Sequence, residues 1–243
     1  MSTNNEGHVY GQLESLRHDA LRKPYKEGME RIMSMGYTVD DILQHFPAFV
    51  GHFSIARMLQ MHEYYRRTAE VAGHIAEVGV YKGAGSILFG KLIRLFEPNS
   101  LTQVHGFDWF KGMELTEQEK RYVQEGSYQE PKDRVEQLVK AQQLEGIVRI
   151  HEVDATKDFP AFFQKYDHLQ FKLVFLDAGS YMVTKASIEA LWPRITPGGI
   201  LVLDQFNHEM SPGETQAVKE VLPHAHIRTL PWGWMPTAYI VKD

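Results

Sequence analysis

From His74 onward the chain alternates short, nearly continuous apolar runs with longer amphipathic stretches. That alternation predicts strands at about 74–79, 103–108, 147–153, 171–177 and 199–204, and helices at about 84–96, 132–144, 158–166 and 182–195. Leu173–Leu176 and Ile200–Leu203 are apolar at consecutive positions, as in strands covered on both faces. A further helix is expected near 213–222. The runs His226–Leu230 and Ala238–Val241 then lie too close together to hold a crossover helix, so they must pair as an antiparallel hairpin. The expected fold class is α/β: a doubly wound, mostly parallel seven-stranded sheet with a terminal antiparallel hairpin. Its ligand crevice should lie at the carboxyl ends of the parallel strands.

The first seventy residues read differently. Ile55, Met58, Leu59 and Met61 recur at helical spacing within Gly51–Val71, and Asp40-Asp41-Ile42-Leu43 suggest a shorter helix ending before Pro47. Residues 1–72 are therefore expected to form a helical lid or oligomerisation segment ahead of a main domain over 73–243. Of the 243 residues, 43% are apolar and 23% charged, which fits a globular chain. Lys and Arg number 26 against 31 Asp and Glu, a net charge of −5, so no general basic footprint for nucleic acid exists. Cysteine is absent, which excludes disulfides, thiolate metal sites and cysteine nucleophiles. Met1–Lys26 has no apolar core of signal-peptide kind, and no stretch approaches the ~18 apolar residues of a membrane span. A soluble cytoplasmic protein without a membrane partner is expected.

The first strand runs into Glu77-Val78-Gly79-Val80-Tyr81-Lys82-Gly83-Ala84-Gly85-Ser86. Glycines let backbone approach a ligand, and the following helix N-terminus offers free N–H groups. The dinucleotide pattern G-x-G-x-x-G fails here, with Tyr81 or Leu88 where glycine is needed. A near match to a phosphate loop, Gly85 to Lys91, ends in Leu92 where a hydroxyl is required. Asp108 closes the second strand, where a carboxylate can accept both hydroxyls of a ribose and a neighbouring aromatic can cover a base. Asp154 closes the third, suited either to an adenine amino group or to capping the next helix.

Asp177 and Asp204 end the fourth and fifth strands, each after a buried apolar run. Neighbouring strands lie about 4.8 Å apart, so the two carboxylates come within reach of one small ion. Left unneutralised they would repel; a divalent cation removes the conflict, and oxygen ligands suit Mg²⁺, Mn²⁺ or Ca²⁺. Most of the twelve histidines read as structural or solvent-facing, His105 and His151 within strands among them. His208 is different: four residues beyond Asp204, on the loop over the crevice, it suits a general base, a ligand or plain exposure.

The pattern Glu77-x-Gly79-x-x-x-Gly83-x-Ser86, with Gly106–Gly112, Asp154, Leu176–Tyr181, Pro197-Gly198-Gly199, Asp204-Gln205 and the terminal hairpin, resembles the class I S-adenosylmethionine-dependent methyltransferases. Within them the chain is most similar to the macrocin-type sugar O-methyltransferases. The resemblance implies a Rossmann-like fold over about Ile75–Asp243 and S-adenosylmethionine as cofactor. It gives the cofactor Glu77, Gly79, Tyr81, Gly83, Ser86, Asp108, Trp109, Asp154, Ala155 and Asp177. The family usually places two acids in a row after the fifth strand; here the second place is Gln205, whose side-chain carbonyl can still coordinate a hard cation.

What this implies is transfer of a methyl group to a sugar hydroxyl. Asp177, Asp204 and Gln205 would hold Mg²⁺, and Asp177, Asp204 and His208 would carry the chemistry, with His208 or a free carboxylate taking the proton. The expected partner is a sugar or nucleotide-sugar in a homo-oligomer, with no nucleic acid. Tyr64, Tyr65 and Met61 are candidates for a lid or acceptor wall, or for an oligomer interface, and Trp232-Gly233-Trp234-Met235 for stacking on a ring. A catechol or phenol acceptor, or a non-catalytic cofactor-binding module, are the alternative readings. With an ion in that role, turnover would stop on chelation and resume with Mg²⁺.

Overall fold

The computed structural model describes residues 19–243 apart from Tyr122 and Trp234. Its helices are α1 (Asp19–Ser34), α2 (Val39–Gln44), α3 (His52–Arg67), α4 (Ala84–Phe96), α5 (Lys132–Ala141), α6 (Phe159–Lys165), α7 (Tyr181–Leu191) and α8 (Pro212–Val221). Its strands are β1 (His74–Val78), β2 (Val104–Asp108), β3 (Val148–Glu152), β4 (Phe171–Leu176), β5 (Ile195–Leu203), β6 (Ile227–Arg228) and β7 (Ala238–Val241). They form one seven-stranded sheet in the order β3-β2-β1-β4-β5-β7-β6, parallel from β3 to β5 and antiparallel at β7 and β6. This is the α/β arrangement that the hydrophobic pattern predicts.

Alternating side chains of the sheet feed two cores, because successive residues of a strand point to opposite faces. Ala76, Val78, Val174, Leu176, Leu201 and Leu203 pack on one face with Phe159 and Phe163 of α6, Ile188 and Leu191 of α7, and Val218 of α8. Ile75, Leu173, Phe175, Ile200 and Val202 pack on the other with Phe89, Leu92 and Ile93 of α4 and Met61, Tyr64 and Tyr65 of α3. The i, i+3, i+4 spacing of Phe89, Leu92 and Ile93 is what turns that side of α4 inward, while Lys91 and Arg94 stay exposed. Each such large apolar side chain, taken from water, contributes about 1.5–3 kcal/mol.

Differences from the expected boundaries have local causes. Helix α7 stops at Leu191 because Pro193 breaks it into a 3₁₀ turn, Trp192–Arg194. Strand β5 starts earlier than expected: Ile195 pairs with Phe171, Pro197-Gly198-Gly199 bulges, and pairing resumes at Ile200 opposite Leu173. Gly198 has φ +83°, and the bulge is tied to β7 through Gly198 N–H to the Lys242 carbonyl (2.7 Å). Helix α5 ends at Ala141, with Gln143 in the left-handed region at φ +56°. Strand β6 is only two residues long, as suits an exposed sheet edge. No helix among the described residues is long and apolar enough to cross a membrane.

His105 on β2 and His151 on β3 stack with ring centroids 5.3 Å apart and an interplanar angle of 9°, their ring nitrogens Nδ1 and Nε2 separated by 3.1 Å. Phe107 stacks on His151 at 5.0 Å. Burial, reinforced for His105 by the charge of His151, depresses both: His105 to about 3 and His151 to about 4. A depressed histidine contributes stability above the unfolded pKa near 6.5, and that contribution is lost as pH falls through the folded values. The unfolding free energy from denaturant titrations should therefore drop between about pH 6.5 and pH 4, by up to about 1.4 kcal/mol per pH unit for each proton taken up. His105→Phe, which keeps a ring in the stack, should flatten that slope; an unchanged slope would show that the pair does not set it.

Candidate active site

The parallel strands deliver four residues to one line. Phe107, Val78, Leu176 and Leu203 are register partners across β2, β1, β4 and β5, so the residues that follow them, Asp108, Gly79, Asp177 and Asp204, stand side by side at the carboxyl edge. The ladder carries on through that row: Gly79 N–H donates to the Phe107 carbonyl (3.0 Å), Asp177 N–H to Val78 (2.9 Å) and Asp204 N–H to Leu176 (3.0 Å). Gly79 has φ +91°, and a side chain there would collide with the Asp177 carbonyl. Tyr81 (φ +48°) and Gly83 (φ +81°) complete a tight turn into α4.

Asp108 clamps that turn. Its Oδ2 accepts the Tyr81 N–H (2.9 Å) and its Oδ1 the Phe110 N–H (2.7 Å), with the Val80 N–H a further backbone donor to the carboxylate; burial raises its pKa against these bonds. Glu77 is buried and turned back on α4, where the Ser86 hydroxyl donates to its Oε2. Burial pushes Glu77 up to about 8, with Ser86 pulling the other way. The Trp109 indole N–H donates to the Gly112 carbonyl.

On β3's side the expected cofactor contacts are engaged locally. Asp154 accepts from the Thr156 N–H (3.0 Å) and hydroxyl (2.6 Å) and pairs with Lys157 (2.7 Å); against burial, these partners hold its carboxyl below the usual range. The N-cap of α6 is Asp158, so Asp154 shapes the turn before it. Ala155 is buried in the core beside Phe159.

Asp177 and Asp204 do converge, and what they converge on is Arg57 of α3. Its Nη1 donates to Asp204 Oδ1 at 2.6 Å and its Nη2 to Asp177 Oδ2 at 2.7 Å, with the guanidinium 5.3 Å from the centre of the Phe175 ring. The Asp204 side chain is 2% exposed, against 28% for Asp177 and 26% for Arg57. Burial opposes the charge on Arg57, but Asp204 and Asp177 outweigh it and its pKa is raised. Burial lifts Asp204 well above the usual carboxylate range, Arg57 pulls it down, and Asp177 and Glu214 push it further up. Glu214, fully buried in the first turn of α8, accepts the Gln205 N–H (2.8 Å), and burial raises it to about 8.

These contacts test the fit of a divalent cation to Asp177, Asp204 and Gln205. Arg57 already occupies Asp177 Oδ2 and Asp204 Oδ1, so an ion on those two oxygens would have to displace the guanidinium, and an ion elsewhere on the pair would face its charge. The Gln205 amide oxygen is buried without a hydrogen-bond partner, packed toward Gly179. As they stand, the residues do not fit the ion. Among the described residues no group of three or more His, Cys, Asp or Glu is placed to hold a metal.

His208 is buried on the loop after β5, its Nδ1 accepting the Met210 N–H (3.2 Å). It borders an open cavity of about 530 Å³ with Asn207, Pro212, Thr215 and Lys219. In the hairpin loop Trp232 is about half exposed and Met235 buried, while Trp234 lies outside the described residues. Arg57 and Glu214 belong to no motif in the sequence. The signal for Arg57 is its position: 57, 61 and 64 share one helical face, so a charge stands at the end of a buried stripe.

Residues 76–206, more than half of the chain, match the family described as "Methyltransferase domain". The chain belongs to this family: the doubly wound sheet with its terminal antiparallel strands is that of a class I methyltransferase, and the protein is an enzyme of that class. It is similar in structure to the calicheamicin methyltransferase CalS11 (TM-score 0.79, 25% identity, over 89% of this chain and 91% of that one). A second, apo structure of CalS11, described as a TDP-rhamnose 3'-O-methyltransferase, aligns with TM-score 0.73 and 26% identity over 89% and 93% of the two chains. The O-methyltransferase NovP shares the fold at TM-score 0.67 and 18% identity, over 78% and 80%. No curated protein matches the chain by sequence.

The turn at Gly79 yields a direct expectation. Gly79→Ala should lower the thermal midpoint by several degrees, equivalent to about 1–3 kcal/mol of backbone strain, and weaken binding of S-adenosylhomocysteine measured by calorimetry. A variant with the wild-type midpoint would mean that the turn relaxes freely.

Proposed function

We propose that the protein is an S-adenosylmethionine-dependent O-methyltransferase acting on a sugar hydroxyl, of a nucleotide-linked deoxyhexose or a glycoside, in natural-product or glycan biosynthesis. The observation that carries this reading is the meeting of Asp177 and Asp204 beside the glycine turn. Similarity to CalS11 over nine-tenths of the chain supports it. The residues suit the cofactor by their chemistry: Asp108 is a strand-end carboxylate able to accept from a ribose hydroxyl, and acids line the crevice that would face a sulfonium.

The cofactor, when bound, supplies a methyl group already activated on a sulfonium. What remains for the chain is to orient the acceptor, exclude water and take a proton. Asp177 is the acid open to the crevice, with Arg57 on its Oδ2 and its Oδ1 left to receive the hydroxyl proton. The hydroxyl oxygen then takes the methyl carbon, and the bonding pair of the broken C–S bond stays on sulfur. Asp204, shielded behind Arg57, holds the guanidinium in place. His208 shapes the loop over the crevice through Met210. Residues 1–18 of the N-terminal segment lie outside the described residues. In the rest of it Met61, Tyr64 and Tyr65 are core residues and not an acceptor wall, Arg57 is the side chain that reaches the crevice, and exposed Met33, Val39 and Leu43 give a surface for a second copy of the chain.

Incubation with labelled S-adenosylmethionine and a panel of nucleotide sugars, glycosides and catechols tests the reading. Label should pass to a sugar. Transfer to catechols alone would move the acceptor class, and tight cofactor binding without any transfer would favour a non-catalytic module. Asp177→Asn should cut kcat by at least about 100-fold while changing S-adenosylhomocysteine affinity little, whereas His208→Ala should cost less than about 10-fold. The reverse order of these effects would make His208 the base.

A further inference from the structure

We infer that Arg57 is the resident cation of this active site, a positioning residue that stands where a divalent metal ion would bridge Asp177 and Asp204, so that methyl transfer proceeds without added metal. The inference rests on the O-methyltransferase reading above. Two carboxylates at adjacent strand ends need a positive charge between them, and the guanidinium supplies it with one N–H donor to each, at 2.6 and 2.7 Å. Its planar fork reaches both acids at once, which a single ammonium point charge does less well.

The alternative is a latch, an arginine that blocks the acid pair until an ion displaces it. The anchoring of α3 argues against that. Met61, Tyr64 and Tyr65, one and two turns beyond Arg57, are buried in the core shared with α4 and the sheet. Gln60 donates to the Pro236 carbonyl at 3.0 Å, the Tyr64 ring lies 5.4 Å from that of Tyr239, and Arg67 donates to the Tyr239 hydroxyl at 2.6 Å. Arg57 thus projects from a helix pinned at several points to the hairpin beside β5, and its guanidinium is further held against Phe175. A side chain so mounted is part of the site's framework. Its work is to fix both carboxylates in direction and charge, leaving the free oxygen of Asp177 aimed at the acceptor.

Two measurements decide this. Turnover of the wild-type enzyme should change less than about 2-fold in excess EDTA, whereas Arg57→Met should lose at least about 100-fold, as when one preorganised electrostatic group is removed. Millimolar Mg²⁺ or Mn²⁺ should restore part of the Arg57→Met activity, and Arg57→Lys should fall between the two; neither response is expected of a merely structural arginine. Independently of activity, Mn²⁺ titration followed by electron paramagnetic resonance should show no tight site in the wild-type protein and one in Arg57→Met that vanishes when Asp204→Asn is added. Wild-type activity that is lost in EDTA and regained with Mg²⁺, or stoichiometric wild-type Mn²⁺ binding removed by Asp204→Asn, would overturn the inference in favour of the latch. If no acceptor is methylated under any condition, the transferase reading fails by itself, and the Mn²⁺ comparison still decides the role of Arg57. Should Arg57→Met not fold, the wild-type EDTA and Mn²⁺ measurements suffice.

Discussion

A sheet buried on both faces has one outlet for charge, its carboxyl edge, and everything polar in this site is a consequence of that constraint. Phe171–Leu176 and Ile200–Leu203 run through two cores with every position buried, so an aspartate following each run emerges at the same level as its neighbour. The pair would be unstable in such company without a cation. Arg57, arriving from a helix outside the parallel unit, meets that need, and the segment before β1 thereby becomes part of the chemistry.

The buried acids around this pair divide into those that act on the backbone and those that face the crevice. Glu77 and Glu214 belong to the first kind: one is locked to Ser86 at the start of α4, the other to the Gln205 N–H at the start of α8. Both are raised by burial, to about 8. Asp177 and Asp204 are the two acids that Arg57 pairs with. Glu119 plays a comparable structural part in the loop after β2, accepting the Tyr181 N–H at 2.8 Å and joining that loop to α7.

How much of this was legible in the sequence follows from which forces are local. Leu173–Leu176 and Ile200–Leu203 announce buried parallel strands because the runs are short, rich in Val, Ile and Phe, and bounded by polar or Gly-containing turns, too short for a buried helix. Asp177 and Asp204 are legible for the same reason, since each terminates such a run, while Asp108 is legible only as the acid that closes the mixed segment Val104–Phe107. The start of β5 was not, since the bulge at Pro197-Gly198-Gly199 depends on pairing with Lys242. Asp154 admitted two readings, an adenine contact or a helix cap; the cap of α6 is Asp158, and Asp154 instead forms a local turn with Thr156 and Lys157. Arg57 lies 120 residues before Asp177, a separation across which no periodicity or spacing carries information. Only its place on the buried stripe of α3 hinted at a role.

The strand β7 lies between β5 and β6, and Thr237, just ahead of it, donates to the carbonyls of both Leu203 and Asp204 at 3.1 Å. Until residues 238–241 have been synthesised, one flank of β5 has no hydrogen-bonding neighbour, and an open flank of this kind invites pairing with other chains. The order of events in a growing polypeptide is thus written into the topology: the acid that anchors Arg57 acquires its final neighbour late, and a nascent chain would gain from shelter during that interval.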